Sequence, residues 1–303
     1  MQKVKILECG PRDGWQNLKQ VLPTEEKLKY IDGLFACGLE SVEITSFVSP
    51  KAIPQMVDAG EVARYCVEKY PDKELVALVP NFKGAELAKT AGLKNLTYVI
   101  SVSESHNKAN INRTHDQSFE ELRRIRESFP ELELCIGMAT TFGCPFEGIP
   151  TLDKVLRFVE RIHNSGVDTV YLADTIGIAD PAQVRRTVQG IRENFPDMKL
   201  QVHIHDTRGM GLVNTLAAIE AGVDTVQSTL GGLGGCPFAP GASGNTATED
   251  LVYMLQRMGY DTGIDFDKLL ALSKEQHAEI DGVYSGHQMN ITRKVRAADR
   301  RNT

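Results

Sequence analysis

The sequence predicts an α/β fold, a (β/α)8 TIM barrel of eight parallel strands with an additional C-terminal helix. Short apolar strand patterns alternate with amphipathic helix patterns from end to end, and eight such units follow one another without a break in composition. The length of 303 residues suits a single barrel of about 250 residues better than an open doubly wound sheet. The open sheet is the alternative, because a strand count from one sequence can be wrong by one or two.

The eight strands are predicted as short apolar runs. In chain order they span residues 4–9, 41–46, 75–79, 96–102, 132–139, 169–173, 200–205 and 225–230. Parallel neighbours need helical crossovers, and an amphipathic stretch follows each of these runs. The carboxyl ends of all eight strands should therefore meet at one mouth of the barrel, where such enzymes carry their chemistry.

The helices are predicted over residues 23–37, 59–69, 85–91, 118–128, 152–165, 181–194, 212–221 and 248–258. Gly38 directly follows the first of them, as expected of a helix end, and Asp180 before Pro181 is a favourable N-cap. A longer polar stretch separates the fourth strand from its helix. A further helix over 266–284 lies beyond the barrel, so we expect one catalytic domain over 1–290 and a charged, frayed tail over 291–303.

The composition is that of an ordinary globular protein, with 42% hydrophobic and 24% charged residues. A net charge of -6 gives no electrostatic footprint for nucleic acid or an anionic membrane, and no apolar run approaches the roughly 18 residues of a membrane span. The first residues enter a strand pattern at once, so we expect no signal or transit peptide. The cysteines lack a CxxC pair, which favours reduced thiols and a soluble, cytoplasmic protein; they are Cys9, Cys37, Cys66, Cys135, Cys144 and Cys236.

His203 and His205 are the most informative residues of the chain. They lie two apart at the end of the seventh strand, so their side chains point to the same side of it. Neutral imidazole nitrogens are good ligands for a divalent metal. The alternative is a pair of half-buried histidines that bind backbone groups.

An Arg-Asp pair follows the first strand and is flanked by Gly10 and Gly14. Asp13 offers hard oxygen to a divalent cation, and Arg12 offers a charge that is not lost at working pH. A solvent-facing salt bridge is the alternative. Glu43 lies among apolar residues of the second strand, where a carboxylate is costly unless paired, and Arg12 is its natural partner. Such a pair would also orient the guanidinium towards a substrate.

Further polar residues follow other strands. Asp174 ends the sixth strand and is either part of the active site or a structural turn. Asn107 and Lys108, after the fourth strand, are candidate contacts for a polyanionic substrate, with a solvated lysine as the alternative.

A glycine-rich loop over residues 231–245 follows the eighth strand. It lacks the Gly-Lys-Ser/Thr ending of a phosphate-binding loop, but it carries Cys236 and ends at Asn245. We interpret it as a mobile flap that brings a thiol near a metal site; the alternative is a plain flexible loop with Asn245 as a helix N-cap. Residues 143–146 repeat the Gly-Cys-Pro-Phe of this loop, and the sequence does not decide whether Cys144 or Cys236 is structural.

Four motifs stand out together: Gly-Pro-Arg-Asp-Gly at 10–14, Glu-Ile-Thr-Ser-Phe-Val-Ser-Pro-Lys at 43–51, His-Ile-His-Asp-Thr at 203–207 and Gly-Gly-Cys-Pro at 234–237. In combination they resemble the 3-hydroxy-3-methylglutaryl-CoA lyase family, over about residues 4–275. The cysteine-bearing loop and the Phe-Val-Ser-Pro-Lys segment favour the lyases over the related isopropylmalate and homocitrate synthases.

This resemblance implies a reaction, a metal and a set of roles. The reaction is the retro-Claisen cleavage of 3-hydroxy-3-methylglutaryl-CoA to acetoacetate and acetyl-CoA, in leucine degradation and ketone-body metabolism, by a homodimer. Mg²⁺ or Mn²⁺ would be bound by a set of four residues: Asp13, His203, His205 and Asn245. The other roles that it implies are enolate stabilisation by Arg12, positioning of Arg12 by Glu43 and proton transfer by Cys236. We also expect His203 and Asp174 to take part in catalysis, and Arg12, Gln16 and Arg208 to contact the acyl-CoA.

The chain departs from the family pattern near the expected substrate. Arg208-Gly209-Met210 stands where the lyases have Tyr-Gly-Gln, residues 140–146 differ, and Ala173 replaces a glycine. No metal ligand is lost, so the reaction type is retained, but the substrate could instead be citramalyl-CoA, which would give pyruvate and acetyl-CoA, or a bulkier acyl-CoA. A synthase is disfavoured because it would be expected to carry a longer C-terminal region, and a non-catalytic barrel because it would need a broken metal set.

Overall fold

The protein is described by a computed structural model that covers residues 2–235 and 244–291. Eight parallel strands form a closed barrel in chain order: β1 Lys5–Glu8, β2 Ser41–Ser46, β3 Glu74–Leu78, β4 Asn95–Ser101, β5 Glu133–Ala139, β6 Thr169–Asp174, β7 Lys199–Ile204 and β8 Thr225–Ser228. Closure is made by β1 and β8, where Ile6 pairs with Val226. The predicted TIM barrel is confirmed, and the open sheet is wrong because an open sheet leaves its first and last strands unpaired.

Ten α-helices of the described chain surround or extend the barrel. They are α1 Thr24–Ala36, α2 Ala59–Lys69, α3 Phe82–Thr90, α4 Glu104–Ile111, α5 His115–Ser128, α6 Leu152–His163, α7 Pro181–Asn194, α8 Gly211–Glu220, α9 Thr248–Arg257 and α10 Phe266–Glu279. The helices pack on the barrel through apolar faces such as that of α6, where the buried residues are Val155, Phe158, Val159 and Ile162, at the spacing of one helix face. None of the described helices has both the length and the apolar character that a membrane span requires.

The additional C-terminal helix is confirmed as α10, although it ends at Glu279 rather than at 284. It packs on α1, where Gly33 lies directly against the end of the Leu272 side chain, so a side chain at position 33 would displace that of Leu272. The hydroxyl of Ser273 on α10 also donates to Glu249 at the start of α9, over 2.9 Å. Of the predicted tail, residues 292–303 lie outside the described residues.

The polar stretch after β4 contains a helix, α4, that the sequence pattern did not predict. Its composition is polar and gives little amphipathic signal, but Ser103 caps its first turn by accepting from the His106 N–H. The proposed role of Asn107 as a ligand contact is wrong, because its side chain is buried and tied to the protein. Its Oδ1 accepts from the Ser101 N–H over 3.0 Å, and its Nδ2 donates to Ser118 over 2.9 Å. Lys108 is exposed.

Candidate active site

Arg12 and Asp13 lie in a single π-helical turn, Gly10–Gly14, directly beyond the carboxyl end of β1. The turn begins where the Asp13 N–H donates to the Cys9 carbonyl over 2.7 Å, and all five of its residues are buried. Such turns are rare, and many of them lie at functional sites. This one places a guanidinium and a carboxylate side by side at the barrel mouth.

Arg12 is held from two sides by carboxylates. Its Nε donates to Glu43 Oε2 over 2.6 Å, and its Nη1 donates to Asp13 Oδ1 over 2.5 Å. Burial by itself would lower the pKa of Arg12, but the two negative charges outweigh it and raise that pKa, so the guanidinium stays charged. The pairing of Glu43 with Arg12 that the sequence indicated is therefore present, and it is buried, with only 2% of Glu43 exposed.

The two histidines project from the end of β7 with their outer nitrogens facing each other. His203 Nδ1 lies 3.0 Å from Gln227 Oε1, and His205 Nδ1 lies 2.9 Å from the Thr175 carbonyl. Both partners are acceptors, so each Nδ1 carries a proton, which in the neutral ring leaves the lone pair on Nε2. The two Nε2 atoms are only 3.1 Å apart. Burial lowers the pKa of His203 to about 4, which keeps it neutral, as a metal ligand must be.

Asp13 completes a cluster with these histidines. One ligand atom of each residue lies within 4.8 Å of the others, and His203 Nε2 is 3.8 Å from Asp13 Oδ2. Burial tends to raise the pKa of Asp13, but the charge of Arg12 and the neighbouring histidines lower it to about 2, so the carboxylate is ionised.

Asn245 joins the cluster from the end of the glycine-rich loop. Its Nδ2 donates to Asp13 Oδ2 over 2.7 Å, while its Oδ1 is buried and accepts no hydrogen bond from any described residue. A carboxylate, two facing imidazole lone pairs and an orphaned amide oxygen form a donor set that suits a divalent cation and would be costly without one. These residues fit a metal ion, and they form a candidate metal site.

The remaining predicted residues divide between this cluster and its surroundings. Gln16 belongs to the cluster, since its Nε2 donates to Asp13 Oδ1 over 2.8 Å. Asp174 is buried and accepts from the N–H groups of Ile178 and Ala179, at 3.0 and 3.1 Å, which is what a structural turn needs. Arg208 is exposed, and its Nη1 donates to backbone carbonyls of the loop after β6 rather than to a carboxylate.

Of the two cysteines of the repeated Gly-Cys-Pro-Phe motif, Cys144 lies in the described part of the chain. Cys144 is buried; its Sγ accepts from the Phe146 N–H over 3.3 Å and lies 3.0 Å from Ser103 Oγ, so it braces the loop after β5. Cys236 lies outside the described residues. Its role in proton transfer stays a prediction.

Gln227 and Thr175 support the histidines and were missed in the sequence. Gln227 is a polar residue inside the apolar run of β8, which is a detectable signal, since a buried amide needs partners. The contribution of Thr175 is a backbone carbonyl, which every residue has, so no sequence pattern could reveal it. Both contacts fix the orientation of an imidazole, as the outer partners of metal-binding histidines commonly do.

Two buried glutamates brace the backbone around the cluster. Glu8 accepts from the N–H groups of Gly10 and Leu230, at 2.7 and 2.8 Å, and so ties the Arg12 turn to the loop after β8. Glu249 accepts from the Gly231 N–H of the same loop over 2.9 Å. Burial raises the pKa of each to about 7.

Comparison with known proteins assigns the family. A family model described as HMGL-like matches residues 3–275. The chain is 40% identical to the hydroxymethylglutaryl-CoA lyase of Bacillus subtilis over 90% of this chain and 92% of that protein. It is 42% identical to the mitochondrial hydroxymethylglutaryl-CoA lyase of Bos taurus, over 89% of this chain and 83% of that protein.

A solved structure agrees with these matches. The HMG-CoA lyase of Acinetobacter baumannii, in complex with coenzyme A and 3-methylmalate, superposes with a TM-score of 0.90 at 41% identity and covers 96% of this chain and 95% of its own. The resemblance inferred from the four motifs is thus confirmed. The chain belongs to the HMGL-like family.

Proposed function

We propose that the protein is a metal-dependent carbon–carbon lyase that cleaves 3-hydroxy-3-methylglutaryl-CoA to acetoacetate and acetyl-CoA. The observation that carries this proposal is the direct contact between Arg12 and the candidate metal site, through the 2.5 Å bond to Asp13. The names of relatives that are 40% and 42% identical support the same reaction.

The reaction requires removal of the hydroxyl proton and stabilisation of the enolate that forms, and these residues suit both tasks. The substrate hydroxyl gives up its proton and becomes the ketone of acetoacetate. The bond between the hydroxyl-bearing carbon and the carbon next to the thioester breaks, and its electron pair passes to the thioester as an enolate. Protonation of the enolate then yields acetyl-CoA. The negative charge develops only as the bond breaks, so a permanent cation that faces the thioester oxygen accelerates the step. We assign this task to Arg12, which Glu43 and Asp13 hold in one orientation.

We assign metal binding to Asp13, His203, His205 and Asn245, with Mg²⁺ or Mn²⁺ as the ion. When bound, a divalent cation supplies a Lewis acid that polarises oxygen atoms of the substrate and lowers the pKa of the hydroxyl. The chain contributes the fixed donor set, in which Gln227 and the Thr175 carbonyl hold the two imidazoles.

Several further assignments belong to the same proposal. Cys236 would transfer a proton from the glycine-rich loop, Asp174 would support the site from β6, and Gln16 and Arg208 would contact the acyl-CoA. A place in leucine degradation and ketone-body metabolism, a homodimer and a cytoplasmic location are also proposed, the last because the described cysteines are free thiols.

The test is the release of acetyl-CoA from 3-hydroxy-3-methylglutaryl-CoA and from citramalyl-CoA, side by side, with Mg²⁺ and with EDTA. We expect metal-dependent cleavage of the first, with acetoacetate as co-product, and its loss in Asp13→Ala. A clear preference for citramalyl-CoA would leave the proposed mechanism intact and would show that the loops that depart from the family pattern determine the substrate. A lyase rate that Asp13→Ala leaves unchanged would refute the proposal.

A further inference from the structure

Tyr171 lies inside the barrel beneath the candidate active site. On the parallel ladder of β6 and β7, Tyr171 pairs with Gln201, and Ala173 pairs with His203. Residues in register on neighbouring strands point to the same side of the sheet, and His203 points into the barrel. Tyr171 therefore points inwards as well, one step deeper, and its exposed fraction is only 6%.

The ring of Tyr171 occupies space that Gly137 leaves open on β5. Gly137 is the register partner of Tyr171, and a Cβ atom added to it would lie 2.3 Å from the Tyr171 hydroxyl oxygen and 2.4 Å from Cζ. No side chain could occupy position 137 without displacing the phenol. The phenol thus extends from β6 across β5 and forms part of the floor of the barrel mouth.

The hydroxyl at the end of this ring lies among the charged groups of the site. The ring centroids of Tyr171 and His203 are 6.0 Å apart. Burial raises the pKa of the phenol, and the charges of Arg12, Glu43 and Asp13 all act on it. Yet within the described part of the chain the hydroxyl has no hydrogen-bond partner. The hydroxyl oxygen is not one of the fully buried polar atoms that lack a partner, so it stays accessible to a small molecule, and an accessible, unpartnered hydroxyl beside these charged groups points to a ligand.

We propose that Tyr171 is a substrate-binding residue whose hydroxyl donates a hydrogen bond to an oxygen of the acyl group held between Arg12 and the metal site. This inference rests on the proposed function. The Tyr171 hydroxyl would be a neutral hydrogen-bond donor on the inner side of the site, in addition to Arg12 and the metal ligands.

Tyr171→Phe tests the inference, because it removes only the hydroxyl and keeps the ring over Gly137. The matched control is Tyr98→Phe on β4, since Tyr98 is also buried on a barrel strand but its hydroxyl already donates to the Ser118 carbonyl, over 3.3 Å. Both variants and the wild type are assayed for kcat and KM with 3-hydroxy-3-methylglutaryl-CoA, for Tm and for Mn²⁺ affinity. Loss of a hydrogen bond to a charged or strongly polar group predicts a kcat/KM about 10- to 100-fold lower in Tyr171→Phe.

The expected result is that this loss occurs with Tm and Mn²⁺ affinity unchanged, while Tyr98→Phe retains wild-type kinetics. Gly137→Ala is the second variant: it keeps the hydroxyl but displaces the ring, so its kcat/KM should fall as well. A Tyr171→Phe enzyme within twofold of wild type overturns the inference, as does a loss of activity that follows a loss of Mn²⁺ affinity. A wild-type protein that does not cleave the substrate instead refutes the proposed function, so the two failures are distinguishable.

Discussion

Replacement of Gln227 by methionine should weaken metal binding without touching a metal ligand. Gln227 Oε1 is the acceptor that holds His203 Nδ1, over 3.0 Å, and both side chains are almost fully buried, at 3% and 5% exposure. Methionine has a similar length but is a poor acceptor, so the Nδ1–H loses its partner away from water. A buried donor left unpaired costs about 1–3 kcal/mol. Loss of an outer partner of a metal-binding histidine commonly weakens affinity by about 10- to 100-fold.

The assay is a titration of EDTA-treated protein with Mn²⁺, followed by electron paramagnetic resonance or calorimetry. We expect a Kd about 10- to 100-fold higher for Gln227→Met, or about 1.4–2.8 kcal/mol. Gln201→Met is the control, because it removes the acceptor of Gln227 Nε2, over 2.9 Å, and leaves the His203 contact in place. Its Kd should stay within about threefold of wild type. A Gln227→Met protein that is folded and binds Mn²⁺ like the wild type would show that the Gln227 contact does not orient His203 for a metal.

Arg12→Lys should lower kcat by about 100-fold or more while Mn²⁺ still binds, because an ammonium cannot contact Glu43 and Asp13 together as the guanidinium does. A wild-type kcat in steady-state kinetics would contradict this prediction. Burial raises the pKa of Glu8 and Glu249 from 4.5 to about 7, so the folded state holds these protons more tightly than the unfolded state. Their stabilising contribution is fully present below pH 4.5 and is lost as the pH rises through 7, by up to about 3 kcal/mol per site. Urea unfolding at a series of pH values should show this fall in the free energy of unfolding, and Glu249→Gln should make the fall smaller. Asn107→Ala should lower the free energy of unfolding by about 2–4 kcal/mol and leave KM unchanged, because the Asn107 side chain is hydrogen-bonded within the protein. A raised KM at unchanged stability would instead show that Asn107 contacts the substrate.

The sequence by itself determined the order and type of nearly every element. The signals involved are local: an apolar run of strand length, a helical period and a turn residue next to it act within a few residues. The same locality explains why the Arg12-Asp13 pair and the two histidines could be recognised as chemistry at strand ends. It also explains the failure at α4, whose polar residues give no period and whose Asn107 resembles a surface residue until its partners Ser101 and Ser118 are seen.

Only the tertiary structure decided which of these polar residues meet. Glu43 reaches Arg12 across 31 residues of sequence because β1 pairs with β2. Asn245 reaches Asp13 across 232 residues because β1 also pairs with β8, which closes the barrel. The position of the Tyr171 ring over Gly137 depends in the same way on the register of β5 and β6. Such contacts depend on barrel closure and strand register, which arise from the packing of the whole chain and leave no trace in any short stretch of it.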